Sequence, residues 1–368
     1  MSHWLQIAHS KIIMQDSIIA KILLFPFSLI YMLILGIRNL FYDAKLLKST
    51  QFALPVINIG NLAVGGAGKT PHVEYLIRLL NPFLELGVLS RGYKRKSKGF
   101  RFVKATDSAE LSGDEPKQYA MKFRDVVVAV SESRNTGIPE MLKYNPQIQT
   151  IILDDAYQHR SVIPYLNILL TAYAKVYTED LLLPAGRLRE YASASERASR
   201  IIVTKCPMEM DEVDRQRLLN LLEPQAHQKV YFSYYKYYTP YYMYNGNARI
   251  ELSNDREVIL LSAIANTQYL EDYLVSKCTV VDTIKFEDHH YFTERDIELL
   301  IKIFQQEENK ELIIITTEKD ATRLHIHNKV LIQKRIPIFI LPVEVGFHFD
   351  QKEEFDADIK DFLLDFKS

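Results

Sequence analysis

The stretch from Pro55 to Pro71 constrains this chain more than any other. Val56-Ile57-Asn58-Ile59 is an apolar run that reads as a short buried strand. Gly65-Gly66-Ala67-Gly68 is a glycine-rich loop ending in Lys69-Thr70, and Val73, Leu76, Ile77 and Leu80 follow at helical spacing. Strand, glycine loop, Lys-Thr and helix is the order a phosphate-binding loop requires. Backbone N–H groups and the helix N-terminus turn toward the anion, Lys69 reaches the outer phosphates, and the Thr70 hydroxyl holds Mg²⁺. Ala63 stands where the strict pattern G-x-x-x-x-G-K-[ST] has its first glycine. The plainer alternative is a turn that happens to end in Lys-Thr; the strand before it and the helix after it weigh against that.

A second signal supports the first. Thr150-Ile151-Ile152-Leu153 is an apolar strand ending in Asp154-Asp155, and one acid at such a position can hold Mg²⁺ directly or through water. Leu86–Ser90, Val126–Val130, Leu166–Thr171 and Ile201–Lys205 read as further strands, with helices expected over 117–123, 134–144 and 211–222. This alternation gives an α/β fold of the phosphate-loop type, a mostly parallel sheet with helices on both faces. Leu86–Ser90 runs into the basic segment Arg91-Gly92-Tyr93-Lys94-Arg95-Lys96-Ser97-Lys98, either a solvated charge run or a contact for an anionic substrate. Gly113-Asp114-Glu115-Pro116 opens a helix, so its acids serve either as a cap or as a general base.

A length of 368 residues suits about two domains. The expected bounds are an N-terminal hydrophobic helix over 1–45, a phosphate-loop core over 46–230, a Tyr-rich β linker over 231–256 and a smaller α/β domain over 257–368. The linker is broken at Thr239-Pro240, and its tyrosines alternatively form an aromatic surface at a membrane. In the last segment Val258–Leu261, Leu312–Thr316 and Ile338–Leu341 are strands, and Thr293-x-x-Asp296 caps a helix reaching Phe304. Asp288-His289-His290 in the preceding loop is open to three readings: metal binding, surface hydrogen bonding, or a proton-transfer group tuned by a neighbouring Asp.

Net charge of −1 speaks against a nucleic-acid binder. Two cysteines, Cys206 and Cys278, are too few and too far apart for a disulfide framework and indicate a reducing compartment, with both thiols in the core. Ile18 to Ile37 is apolar enough, at ~30 Å of helix, to match one bilayer core, although Lys21 and Pro26 interrupt it. A signal peptide is disfavoured by the lack of a compact basic segment before it and a small-x-small site after it. A buried core helix and a membrane anchor, spanning or interfacial, stay open; the basic bias of Arg38, Lys45 and Lys48 keeps the C-terminal side cytoplasmic.

Taken together, Gly60-Asn61 through Pro71, Ser90-Arg91-Gly92-Tyr93, Gly113-Asp114-Glu115-Pro116, Asp154-Asp155 with Gln158-His159-Arg160, Pro184 through Glu190, Asp288-His289-His290 and Thr317-Glu318-Lys319-Asp320 resemble the tetraacyldisaccharide 4′-kinase family of Gram-negative bacteria. The resemblance covers nearly the whole chain. It implies transfer of the ATP γ-phosphate to the 4′-hydroxyl of a tetraacyldisaccharide 1-phosphate at the cytoplasmic face of the inner membrane, with ATP and Mg²⁺ as cofactors. Membrane lipids are then partners; no nucleic acid and no protein partner is implied. By the same resemblance Gly65 to Thr70 bind nucleotide, Thr70, Asp154 and Asp155 lie on the metal side, and Asp114 with His289 handles the acceptor proton. Glu115, His159, Arg189 and Glu190 match polar residues near the site, and Arg91 with the basic segment suits the substrate's 1-phosphate or lipid head groups. Ala67, Lys94, Ala156-Tyr157 and Tyr191 depart from the usual residues without removing a proposed catalytic group. The runner-up is a regulatory ATPase with a deviant phosphate loop, whose signature Lys is Val64 here; a nucleotide-stabilised membrane scaffold would give Asp114 and His289 no purpose.

Overall fold

The computed structural model describes residues 18–307, 309 and 311–367, so the first part of the expected 1–45 segment lies outside the described residues. Contacts divide the chain into two units, one of Met1–Arg91, Ser133–Tyr234 and Val345–Ser368, the other of Gly92–Glu132 and Tyr235–Glu344.

In the first unit the strands run in the order Val343–Phe347, Lys229–Tyr237, Arg200–Thr204, Leu166–Ala172, Val56–Asn61, Thr150–Asp154, Leu86–Ser90. Every pairing from Lys229–Tyr237 to Leu86–Ser90 is parallel. Burial on both faces explains why these strands are continuous apolar runs, with Ile57, Ile59, Ile152, Ile168 and Ile201 inaccessible to solvent. Val56–Asn61 lies between Thr150–Asp154 and Leu166–Ala172, so the phosphate loop and the Asp154-Asp155 pair leave adjacent strands at their C-terminal ends. This is where open α/β sheets place ligands. Helix Gln351–Leu364 returns to this unit: Phe355 packs on Tyr75, Tyr231 and Phe347, and Asp358 pairs with Arg200 and Lys229.

The second unit holds a sheet ordered Asn245–Arg249, Tyr241–Tyr242, Ile338–Leu341, Ile313–Thr317, Glu257–Ser262, Thr279–Lys285. Its last four strands are parallel, and the Tyr-rich hairpin adds an antiparallel edge. The Tyr-rich stretch therefore forms strands broken at Thr239-Pro240, and its Tyr237 packs on Tyr273 with ring centroids 4.5 Å apart. Gly92–Glu132 joins this unit although it precedes it by more than a hundred residues. Helix Asp114–Lys122 packs on Glu318–Leu324 through Lys117 Nζ to Thr322 O (2.8 Å) and Lys122 to Glu318 (2.6 Å).

Helix Ile18–Asp43 is long and apolar enough to cross a membrane by length and composition, and only 11% of its most apolar window is buried. The core-helix alternative therefore fails. Cys206 and Cys278 are buried as expected, and burial pushes their thiols up to about 12 and about 11.

Helix Lys69–Leu80 carries a histidine that does not contact solvent. His72 Nδ1–H donates to Gly68 O (2.8 Å), and its Nε2 accepts from the Ser233 hydroxyl (3.0 Å), which fixes the tautomer. Burial lowers its pKa from 6.5 to about 4, with the Gly68 bond opposing. Burial likewise lowers His159 and His325 to about 4. The unfolded chain takes up these protons as pH falls below 6.5 and the folded chain does not until about 4, so stability is lost on acidification through that window. Melting temperatures recorded from pH 7 to pH 4 are expected to fall across it, with a shallower slope for His72→Gln; parallel slopes would remove His72 from the account.

Candidate functional site

The phosphate loop begins where the strand Val56–Asn61 ends. Gly65 and Gly68 adopt φ of 112° and 80°, values that a side chain disfavours, and Gly68 is followed directly by the first helical residue, Lys69. Gly65 and Gly66 are exposed, Ala67 and Gly68 buried, and Lys69 and Thr70 partly exposed at the helix N-terminus. Thr204 Oγ1 donates to Ala67 O (3.0 Å) and steadies the loop from a neighbouring strand. Lys69 Nζ donates to Asn61 Oδ1 (3.0 Å) and lies 3.6 Å from Asp155. Arg189 joins them, donating to both Asp155 oxygens (2.8 and 3.2 Å) and to Asn61 Oδ1 (2.6 Å).

Asp155 holds a left-handed backbone, φ 50°, that turns its carboxylate to these cations. Burial alone would raise its pKa; Lys69 and Arg189 outweigh that and hold the carboxyl well below the usual range. Asp154 is buried, accepts from Ser90 Oγ (3.2 Å), and passes its carbonyl to the fully buried Arg134 (3.0 Å). A Thr hydroxyl and two carboxylates are the hard oxygen donors that Mg²⁺ takes, so the residues present suit that ion. Of the remaining expected residues, Arg91 is exposed, His159 is kept neutral by burial and the nearby Arg134 and Arg91, and Glu190 is fully buried between Arg197 and Arg38.

The second unit assembles its own cluster. Asp114 is 1% exposed and is the first residue of its helix, whose N-cap position is Gly113. Gly113, at φ 90°, lets the backbone press against Gly92, where a Cβ would sit 3.0 Å from the Gly92 Cα. Asp114 Oδ2 accepts from Arg323 Nη1 (2.7 Å) and from His289 Nδ1 (3.0 Å), while Asp114 Oδ1 is buried without a hydrogen-bond partner. The Lys319 ammonium lies 3.2 Å from His289 Nε2. Because an ammonium only donates, Nε2 accepts and the ring proton sits on Nδ1, facing Asp114. His289 is held there by a left-handed backbone (φ 61°), by its N–H to Ala263 O (3.2 Å) and by the edge of Tyr93, 4.8 Å away.

Lys319 also pairs with Glu115 (2.9 Å). Burial would raise the Glu115 carboxyl, but Lys319 and His289 override it and hold it down at about 2. Arg323 is inaccessible and pairs with Asp320 as well, whose Oδ1 accepts from Ala263 N (3.2 Å). The metal reading of Asp288-His289-His290 does not fit: His289 turns to Asp114, whereas His290 bonds Asp296 (2.8 Å), part of a full capping box with Thr293. In the basic segment Arg95 pairs with Glu132, Lys96 with Glu110, and Lys94 donates to Asp288 O, so three of its five cations are internally committed.

The expected bounds put Asp114 and His289 in different domains; the structure pairs them inside one unit at 3.0 Å. Arg323, Lys319, Arg134 and Asn61 were missed as supports. The Asp320-to-Arg323 spacing marks one helix face, but nothing in sequence links it to Asp114, 209 residues away.

The family model described as tetraacyldisaccharide-1-P 4′-kinase matches residues 20–364. A curated tetraacyldisaccharide 4′-kinase from Phocaeicola vulgatus is 41% identical over 345 residues, covering 92% of this chain and 94% of that protein. One of the same name from Flavobacterium johnsoniae is 40% identical over 341 residues, covering 93% and 96%. A crystal structure of LpxK from Aquifex aeolicus in complex with ATP superposes with a TM-score of 0.72 at 29% identity, covering 93% of this chain and 99% of that one.

The Asp114–Arg323 pair has a measurable consequence. Arg323→Met leaves a buried carboxylate without its cation and is expected to cost about 3–5 kcal/mol in denaturant unfolding. A loss below about 1 kcal/mol would mean that water reaches Asp114 and relieves it.

Proposed function

Because this chain belongs to the tetraacyldisaccharide-1-P 4′-kinase family, we propose that Asp114 and His289 manage the acceptor proton while the phosphate loop holds ATP. The chain is an ATP-dependent lipid A 4′-kinase. The γ-phosphorus gains a bond to the 4′-oxygen of a tetraacyldisaccharide 1-phosphate, its bond to the β,γ-bridging oxygen breaks, ADP leaves, and the hydroxyl proton departs. The observation that carries the residue assignment is the free, buried Asp114 Oδ1. With Oδ2 committed to Arg323 and His289, Oδ1 is the oxygen that accepts the 4′-hydroxyl. His289 orients the carboxylate through its Nδ1–H, and Lys319 fixes the imidazole tautomer. Transfer of this kind rests on positioning and electrostatics, so a carboxylate suffices as base.

On the donor side Gly65 to Gly68 present backbone N–H groups, and Lys69 and Arg189 supply positive charge to the outer phosphates. Thr70, Asp154 and Asp155 are the residues that would hold Mg²⁺, which supplies charge neutralisation at the phosphates when bound. Glu115 keeps Lys319 in place, Glu190 anchors its loop, and His159 stays neutral beside Arg91. Arg91 and Lys98 are the members of the basic segment offered to the 1-phosphate, since neither makes an ion pair among the described residues.

Helix Ile18–Asp43 associates the enzyme with the cytoplasmic face of a Gram-negative inner membrane, where its lipid substrate resides. One face of the helix contacts its own unit from Ser28 to Asp43. A stretch so engaged is not surrounded by lipid, which favours an interfacial helix over a spanning one. A regulatory ATPase is not favoured, since the family match spans the chain.

With purified enzyme, detergent, Mg-ATP and tetraacyldisaccharide 1-phosphate, 4′-phosphorylated lipid is the expected product; ATP hydrolysis without it would hand the chain to the ATPase reading. Asp114→Asn should lower kcat at least about a hundredfold with the KM for ATP little changed. His289→Ala should also lower kcat, and near-full turnover by either variant would remove that residue from proton handling.

A further inference from the structure

We propose that the apolar N-terminal helix is part of the support of the nucleotide site, with Tyr31, Ser28 and Arg38 as positioning residues for Arg189, Asn61 and, through Asn61, Lys69. The proposal rests on the reading that Lys69 and Arg189 hold the phosphates of ATP.

An anchor needs apolar surface, and most of Ile18–Asp43 supplies it: Ile22, Phe27, Ile30, Leu33, Ile34 and Leu40 are all exposed. Polar groups on such a helix are costly in a bilayer and call for another reason. Ser28, Tyr31, Leu35, Arg38 and Tyr42 recur every three or four residues and so share one face. Ser28, Tyr31 and Arg38 each reach backbone of the same unit, and the Tyr42 ring lies under the Arg38 and Arg160 guanidiniums.

Ser28 Oγ donates to Leu182 O (3.0 Å) and accepts from Ala185 N (3.0 Å). Tyr31 OH donates to the carbonyl of Arg189 itself (2.9 Å), and Tyr191 OH donates back to Met32 O. The loop so gripped lies outside any long helix or strand, and its backbone bonds run within itself, as from Leu183 N to Leu188 O, and to the phosphate-loop segment. It also supports the phosphate loop directly: Val64 N donates to Arg187 O and Arg189 N to Leu62 O, both at 2.7 Å. The Arg189 side chain then closes on Asn61 and Asp155 beside Lys69.

A second route runs through Arg38. Its guanidinium donates to Gln158 O, and Gln158 Nε2 donates to Asn61 O (2.8 Å). Asn61 Oδ1 is the acceptor that Lys69 and Arg189 share. Both routes end on one residue, so the seating of the helix fixes how the two cations are aimed. Nucleotide affinity thereby depends on an element whose other faces are offered to lipid.

The experiment uses the full chain in detergent micelles and measures KM separately for ATP and for tetraacyldisaccharide 1-phosphate. Tyr31→Phe, which deletes one hydroxyl, should raise the KM for ATP about fivefold and leave the lipid KM and the melting temperature in place. Leu33→Asn, on an exposed face, should weaken retention on anionic vesicles and leave the ATP KM alone. Arg189→Ala should raise the ATP KM about ten- to a hundredfold, and Tyr31→Phe should add nothing to it in the double variant. If Arg189→Ala acts and Tyr31→Phe does not, or if their effects add in full, the helix is an anchor only and the proposal is wrong. If Arg189→Ala itself leaves the ATP KM unchanged, the reading of the phosphate site fails and takes the proposal with it.

Discussion

The second unit depends on one buried ion pair. Asp114 and Arg323 are both withdrawn from water, and neither charge is tolerable there alone. Arg323 is therefore closed in by Asp320 and Ala263 O, Asp320 by Ala263 N and Thr317, and Asp114 by His289. The network fixes Gly92–Glu132 to the helix Glu318–Leu324 and leaves one carboxylate oxygen unanswered, Asp114 Oδ1, alongside Arg323 Nε. A fully satisfied carboxylate would be structural. Asp114 instead keeps one buried oxygen without a partner and a histidine at its back.

Charge in the first unit is arranged on the opposite principle. Lys69 and Arg189 converge on Asp155 and Asn61, two cations against one carboxylate, at the C-terminal ends of adjacent parallel strands. The excess of positive charge suits phosphate, and Asp155 keeps the cations together without it. The supports lie further out, in Arg134 on the Asp154 carbonyl, Thr204 on the phosphate loop, and the residue 182–191 loop held by the N-terminal helix. That helix is apolar over most of its surface and polar along one stripe, and the stripe is the part that contacts its own unit.

Local signals made the donor half legible in sequence. Val56–Asn61, Gly65–Thr70 and Thr150–Asp155 are contiguous runs whose strand, turn and helix propensities agree with their places in the fold. Val64 and Ala63, which break two generic loop patterns, turn out to flank the backbone pairing to Arg187–Arg189. The Thr293–Asp296 capping box and the Thr239-Pro240 break were readable for the same reason, since each is a matter of four residues or fewer.

What sequence alone determined is thus the fold class, the phosphate loop and, through resemblance across many short motifs, the family. Tertiary structure decided that His289 rather than His290 reaches Asp114, and that Gly92–Glu132 belongs with Tyr235–Glu344. It also decided which cations are already paired within the basic segment. The contacts of Asp114 with His289 and of Tyr31 with Arg189 join residues 175 and 158 positions apart, and no local pattern records them. A carboxylate's role follows from which of its oxygens is left without a partner, and that is settled only when the chain has closed around it.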